Sequence, residues 1–210
     1  MQLIDLHTHH TDIEDNKYIL SCSGACAIDA KNISIGLHPW NIDDNHMARM
    51  QEIEKLARME RVKAIGECGI DKIGSRATID LQTKILEAHI ELSEQLQKPL
   101  ILHVVKGQEI VMRLHKERRP TQAWIIHGFR GKPEQAKQYT SAGLFLSYGT
   151  QFNKESLLST PLDRLLIERD EAQTALAQHY DNIATILGID TKELAATIEC
   201  NCKMCGIKLD

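Results

Sequence analysis

Short apolar runs alternate with amphipathic stretches along almost the whole chain, and five of those runs lead into a residue type that ligates metals. The residues are His7 with His9 two positions on, then Glu67, His103, His127 and Asp170. One apolar run ending in a histidine is common by chance; five such endings form a pattern. Strands that alternate with helices pair in parallel through right-handed crossovers. In a barrel of parallel strands, residues at the strands' carboxyl ends converge on one face. Imidazoles meeting carboxylates there are the donor set for one or two divalent cations.

The apolar runs predict strands over residues 2–6, 18–22, 33–37, 63–67, 100–103, 123–127, 144–147 and 164–167. Helical spacing predicts helices over 47–59, 79–96, 109–116, 133–141, 171–187 and 191–204. Pro99 stops the second helix, Pro133 suits a first helical turn, and Gly143 suits a C-terminal cap. Eight strands imply an α/β fold of the TIM-type (β/α)8 barrel; an open doubly wound sheet is the alternative. Such barrels usually take ~250 residues, and this chain has 210. The polar stretch between His10 and Tyr18 is too short for a normal first helix, so the barrel is expected to be trimmed near its N-terminus. A single domain over residues 1–210 is expected, with no linker, repeat or low-complexity segment.

Hydrophobic residues make up 42% and charged residues 26%, which is ordinary for a globular domain. No apolar run approaches the ~18 residues of a membrane helix. The N-terminal residues lack a signal-peptide core, so a cytoplasmic location is expected. Six cysteines are too sparse for a disulfide scaffold. Cys200, Cys202 and Cys205 read as ordinary thiols on a terminal helix, with 202 and 205 sharing a face. A net charge of −4 argues against a broad basic face for duplex DNA.

Each candidate has a commonplace reading beside the chemical one. His7 and His9 are two apart, so on an extended chain both imidazoles reach the same side; otherwise they are surface histidines. Glu67 follows Gly66, which removes a side chain where something approaches closely; otherwise it pairs with a cation. His103 and His127 are either ligands or satisfied core histidines. Asp170 is either a ligand and proton acceptor or a helix N-cap. His38 contacts substrate or only fixes the turn before Pro39. Lys106 and Arg130 either bind an anionic oxygen or are surface cations.

These motifs, in this order, resemble the TatD family of metal-dependent deoxyribonucleases within the amidohydrolase-like superfamily. The matching stretches include Ile4-Asp5-Leu6-His7-Thr8-His9, Gly36-Leu37-His38-Pro39, Ala64-Ile65-Gly66-Glu67-Cys68-Gly69-Ile70-Asp71, Leu100-Ile101-Leu102-His103, Ile126-His127-Gly128-Phe129 and Leu166-Ile167-Glu168-Arg169-Asp170. The resemblance implies a TIM-type barrel and phosphodiester hydrolysis on DNA. It implies that His7, His9, Glu67 and Asp170 hold one metal, and that Glu67, His103 and His127 hold a second. His38 falls on a histidine implicated in phosphate contact. The chain departs from the family at Val105 and Lys106, where an arginine is usual, at Lys72, where an aromatic is usual, and at Glu171-Ala172-Gln173, where a long loop is usual. A shortened loop there predicts a more open site.

The expected activity is therefore metal-dependent hydrolysis, with Asp170 and Glu67 as the catalytic carboxylates. The metal is zinc, manganese or magnesium, one or two ions per chain. The expected substrate is single-stranded DNA, attacked from its 3′ end, or a small phosphoester, with His38, Lys106 and Arg130 as its contacts. No obligate protein partner and no membrane are implied. A cyclic amide or lactone is the alternative substrate, and a non-catalytic metal-binding scaffold is the third reading.

Overall fold

The computed structural model describes residues 2–10, 17–24 and 30–209. Eight strands form one sheet in sequence order: β1 (Ile4–Thr8), β2 (Lys17–Cys22), β3 (Ile33–Ile35), β4 (Val62–Asp71), β5 (Leu100–Val105), β6 (Trp124–Ile126), β7 (Phe145–Tyr148) and β8 (Leu165–Ile167). Strands β1–β2, β3–β4, β4–β5, β6–β7 and β7–β8 pair in parallel. Helices α1 (His46–Leu56), α2 (Ile79–Leu96), α3 (Gln108–Arg118), α4 (Pro133–Ser141), α5 (Lys154–Ser159), α6 (Leu176–Leu187) and α7 (Thr191–Met204) alternate with the later strands. This is the strand order of the TIM-type (β/α)8 fold. No helix stands between β1 and β3 among the described residues. The trimmed side expected from the sequence falls largely on residues 11–16 and 25–29, which lie outside that description.

The chain divides into two compact units, Met1–Leu20 with Ile125–Asp210, and Ser21–Trp124. In the first unit, β1 meets the chain just past β8. Asp170 N–H donates to His7 O at 3.0 Å, and His9 N–H donates to Asp170 O at 3.2 Å. The Tyr180 hydroxyl of α6 donates to Ile4 O at 2.8 Å, and His179 Nε2 lies 3.0 Å from Tyr148 O. Asn201 of α7 donates to both Leu162 O and Leu165 O at 2.7 Å. These buried polar links satisfy strand-end carbonyls that the sheet ladder leaves over. Cys202 on α7 and Cys205 at its C-cap are buried while Cys200 is exposed, as the helical spacing predicts.

In the second unit, α2 shows why its sequence folds as it does. The Thr78 hydroxyl caps its start by accepting from Leu81 N–H, and Gln97 ends it in the left-handed conformation. Its buried face runs Gln82, Ile85, Leu86, His89, Ile90, Leu92 and Ser93, the spacing of one helical stripe. Each buried Leu or Ile there contributes roughly 1.5–3 kcal/mol. Two buried polar residues on the same stripe tie down loop backbone. Gln82 Oε1 accepts from Asp71 N–H at 2.8 Å while its Nε2 donates to Asp71 O at 3.2 Å. His89 Nε2 accepts from Leu37 N–H at 3.0 Å, so Nδ1 carries the hydrogen that goes to Ile85 O at 2.7 Å. Burial holds His89 neutral, with its pKa down at about 4.

Four expectations change. Strand β1 begins and ends two residues later than predicted, so His7 lies inside it. Strand β4 runs to Asp71, so Glu67 sits mid-strand; its burial, unbroken from Ala64 onward, shows that both faces are covered there, which hides the alternation that would have marked its length. Helix α5, capped by Asn153 accepting from Ser156 N–H, was not predicted because six residues carry too little periodicity. The helix expected from 171 begins at Leu176. Residues 171–175 therefore form a short loop before that helix.

Candidate metal centre

In the first unit, β1 and the chain after β8 bring His7, His9 and Asp170 together, with one donor atom from each within 4.8 Å of the others. His7 Nε2 lies 3.9 Å and His9 Nε2 3.6 Å from Asp170 Oδ1. Both separations exceed a hydrogen bond. They suit two donors on one cation, since ligands each about 2.1 Å from a tetrahedral ion stand about 3.4 Å apart. His7 is fully buried while His9 is exposed, so the set opens to solvent on one side. Asp170 has φ +56°, and the next helix starts six residues later with Ala175 as its N-cap. Asp170 is therefore not a helix cap. Its backbone is clamped between His7 O and His9 N–H, which aims its side chain at the two imidazoles.

His127 follows β6 in the same unit, its ring centroid 4.4 Å from that of His7. Its Nδ1 lies 3.2 Å from Glu168 Oε1, which also accepts from Gly128 N–H at 2.7 Å. Burial would raise the Glu168 pKa, but the facing His127, with His7 beyond it, holds it below the ordinary value. An ionised carboxylate only accepts, so His127 Nδ1 carries the hydrogen and Nε2 keeps its lone pair. That is how a carboxylate orients a ligating histidine. Next to it, buried Asp5 accepts from Arg169 Nε at 2.7 Å and Arg169 N–H at 2.9 Å. Burial raises the Asp5 pKa to about 6 against the lowering effect of Arg169. The pair fixes the chain between Glu168 and Asp170.

In the second unit, His38, Glu67 and His103 form another set with donor atoms within 4.8 Å. Glu67 Oε1 lies 2.9 Å from His103 Nδ1 and 3.2 Å from His38 Nε2. Close backbone approach makes this possible. A Cβ on Gly66 would lie 2.3 Å from Ile101 O, and one on Gly69 would lie 2.0 Å from His103 O. Any side chain at either position would push β4 off β5.

The far nitrogens of the two rings differ. His103 Nε2 lies 3.2 Å from Asp71 Oδ2. Burial pushes the Asp71 pKa up, but hydrogen bonds from Gly74 N–H, Ile73 N–H, Trp40 and His103 outweigh it and hold it at about 2. Ionised Asp71 can only accept, so His103 Nε2 carries a hydrogen and Nδ1 is the nitrogen aimed at Glu67. His38 Nδ1 accepts from Trp40 N–H at 3.1 Å. Its lone pair is thus on Nδ1, and its Nε2 carries the hydrogen that faces Glu67. His103 is arranged as a ligand; His38 is arranged as a donor. Both sets fit a divalent cation by donor chemistry, two imidazoles and a carboxylate in the first, an imidazole and a carboxylate in the second.

Lys106 is exposed with φ +54° on the loop after β5. Arg130 is exposed and donates to Gln151 Oε1 at 2.9 Å. Neither joins either set. Among the described residues, the cysteines of α7 form no metal-type cluster. Sequence reasoning passed over Asp71 and Trp40 as parts of the site, and held Glu168 only as a substitute base for Asp170, not as the partner of His127. Asp71 and Glu168 were visible as acids at strand ends, four residues from Glu67 and two from Asp170, but which acid faces a histidine depends on tertiary packing.

The TatD related DNase family model matches residues 6–205. The uncharacterized metal-dependent hydrolase YcfH of Escherichia coli K12 is 30% identical over 77% of this chain and 68% of its own length. The uncharacterized metal-dependent hydrolase YabD of Bacillus subtilis is 31% identical over 65% of this chain. The match spans only 57% of that relative's length. Among solved structures, the TatD homolog YjjV of Escherichia coli K12 superposes with a TM-score of 0.81 at 19% identity, covering 97% of each chain. That likeness bears on the fold and agrees with the strand order above. By the match to its family model over nearly its whole length, the chain belongs to the TatD related DNase family.

Proposed function

We propose that the protein is a metal-dependent hydrolase that cleaves phosphodiester bonds, with a single-stranded DNA end or a small phosphoester as substrate. The observation that carries this reading is the pairing of His7 and His9 with Asp170 at 3.9 and 3.6 Å, a spacing that suits a shared cation. The names of the relatives point the same way: metal-dependent hydrolases in bacteria and a putative deoxyribonuclease in Danio rerio, 26% identical over 76% of this chain.

In this reading His7, His9 and Asp170 hold one cation, and Glu67 and His103 hold the other. His127 presents Nε2 as a further donor, oriented by Glu168. A bound divalent cation supplies an acidified water and a Lewis acid for a phosphoryl oxygen. Asp170, part-exposed and fixed through its backbone, orients the attacking water and accepts its proton. With Glu67 engaged by the cation, the His38 Nε2 hydrogen that faces it is released to bond a non-bridging phosphoryl oxygen, where negative charge builds in the transition state. Asp71 and Glu168 hold His103 and His127 in their tautomers. Lys106 and Arg130 draw the anionic backbone of the substrate towards the site.

The test uses chelator-stripped protein restored separately with zinc, manganese and magnesium. Each form is assayed on single-stranded DNA, bis(p-nitrophenyl) phosphate and a p-nitroanilide amide. Nucleotide release with at least one metal, and little turnover of the amide, is expected. Amide turnover without phosphodiester turnover would replace this reading with the amidohydrolase-like one. No turnover of any substrate despite stoichiometric metal would favour the scaffold.

A further inference from the structure

Trp40 is 61% exposed, yet its ring is held in place from two sides. Its indole Nε1 donates to the buried carboxylate of Asp71 at 2.6 Å. Gly74 passes so close beneath the ring that a Cβ there would lie 2.3 Å from Nε1. The Ser75 hydroxyl donates to Pro39 O at 2.7 Å, clamping the loop after β4 to the turn that carries the tryptophan. The ring meets His38 edge-on at 5.0 Å and lies 6.0 Å from the His103 ring. An exposed indole fixed in this way has already lost its conformational freedom, so a flat partner stacking on it costs little further ordering. Tryptophan offers the largest aromatic face for such a partner.

Resting on the phosphodiesterase reading, we propose that Trp40 is a nucleobase-stacking platform that selects base-bearing substrate ends. A phosphodiester next to the His38 Nε2 hydrogen carries a nucleoside on at least one side. The exposed indole shares an edge with that histidine, which puts an aromatic face beside the scissile group. Stacking tolerates every base, since each has a π-face. Trp40 thereby prefers nucleotides over plain phosphoesters without reading sequence. It is a positioning residue for the base and takes no part in the bond cleavage.

Two oligonucleotides separate this from a structural role: one with an ordinary terminal nucleotide, the other with an abasic tetrahydrofuran residue there. Stacking on aromatic residues is worth about 5- to 150-fold per base. In wild type, kcat/KM for the base-bearing end exceeds that for the abasic end by a factor in that range. Trp40→Ala collapses this ratio towards one, chiefly through KM. Trp40→Phe, which keeps a ring and loses the Asp71 hydrogen bond, retains most of the ratio. An unchanged ratio in Trp40→Ala overturns the proposal, as does an equal loss on both oligonucleotides through kcat, which assigns the residue to holding Asp71.

The second arm needs no turnover. Trp40 and Trp124 are the only tryptophans, and Trp124 is 1% exposed. Base-bearing oligonucleotide should quench the emission of metal-stripped protein, and abasic oligonucleotide should not. Quenching must be absent in Trp40→Ala. If no oligonucleotide is hydrolysed, the phosphodiesterase reading falls, and the quenching result alone decides the tryptophan. Equal quenching by both oligonucleotides would point to the sugar-phosphate as the stacking partner and sink the proposal.

Discussion

In the first unit His7 and His9 face Asp170 across 3.9 and 3.6 Å; in the second, Glu67 stands 2.9 and 3.2 Å from His103 and His38. The wider set leaves space between donors that a cation fits. In the tighter set the His38 Nε2 hydrogen already faces Glu67, and the His103 Nδ1 lone pair stands only 2.9 Å from the carboxylate, so a cation there must draw in between two groups that are closer together. Support differs in the same sense. Asp170 is aimed through its own backbone, whose carbonyl also accepts from the Thr8 hydroxyl, whereas His103 is braced by Asp71, itself gripped by Trp40, Ile73 N–H, Gly74 N–H and, through its backbone, Gln82. Like residue types at strand ends can therefore be set up for different work: one set spaced for an ion, the other pre-bonded and rigid.

The largest effect expected is at Asp170. Asn tolerates its left-handed backbone and keeps its volume while removing the negative charge and the proton acceptor. Asp170→Asn should retain near-normal melting temperature and lose about two to four orders of magnitude in kcat at saturating metal. Full activity would show that the wider set is not the catalytic one and reverse the comparison.

Next come the braces. Asp71→Asn and Glu168→Gln remove the carboxylates that orient His103 and His127, and each should cost about 10–100-fold in metal affinity or activity. If the bracing of the tighter set matters as described, Asp71→Asn should weaken binding of one ion per chain, read by calorimetry, and leave the other. Weakening of both would dissolve the distinction between the sets.

Acid separates the units by another route. His89 of the second unit has its pKa lowered from 6.5 to about 4 by burial. The unfolded chain therefore binds a proton that the folded chain refuses between those values, so stability falls as pH drops below 6.5. At pH 5 the loss is about 2 kcal/mol relative to pH 7. Asp5 of the first unit works oppositely: its folded pKa is raised from 3.8 to about 6, so it favours the folded state at low pH and loses that contribution as pH rises through 6. Urea unfolding of wild type and His89→Gln at pH 7 and pH 5 checks the sign. The acid-induced drop should shrink in the variant; an equal drop would clear His89.

The smallest effect concerns His38. As a donor and not a ligand, His38→Gln should leave metal stoichiometry intact and lower kcat/KM on phosphodiesters by about 10-fold, the scale of one charge-stabilising hydrogen bond. Loss of an ion would make His38 a ligand and require the opposite tautomer.

Much of this was legible before any coordinates. Helices α2, α4 and α7 have the predicted bounds, because each carries a clear stripe with a Thr78, Pro133 or Asp190 start signal. His7, His9, Glu67 and Asp170 were expected on one ion; His7, His9 and Asp170 stand together, and Glu67 stands with His38 and His103. The parts not legible share a cause. Strand β4 is buried from Ala64 to its end, so polarity does not mark where it ends. Asp71 and Glu168 act through partners 32 and 41 residues away, and Trp40 is placed by a glycine and a serine on another loop. Such contacts have no local signature. The helix start at Leu176 was missed because Glu171-Ala172-Gln173 has good helix propensity, which the chain's path after Asp170 overrides.

The two glycines of β4 have a consequence for anyone who would re-engineer this protein. With Ile101 O and His103 O so close beneath them, positions 66 and 69 admit no other residue without moving the neighbouring strand. A randomised library across this strand would find two fixed columns, with the ligand Glu67 and the fully buried Cys68 between them. Altered substrate preference is better sought on the turn and loop that carry Trp40, Lys72 and Ile73, all exposed. Function and tolerance to change are thus divided between a strand that cannot vary and a rim that can.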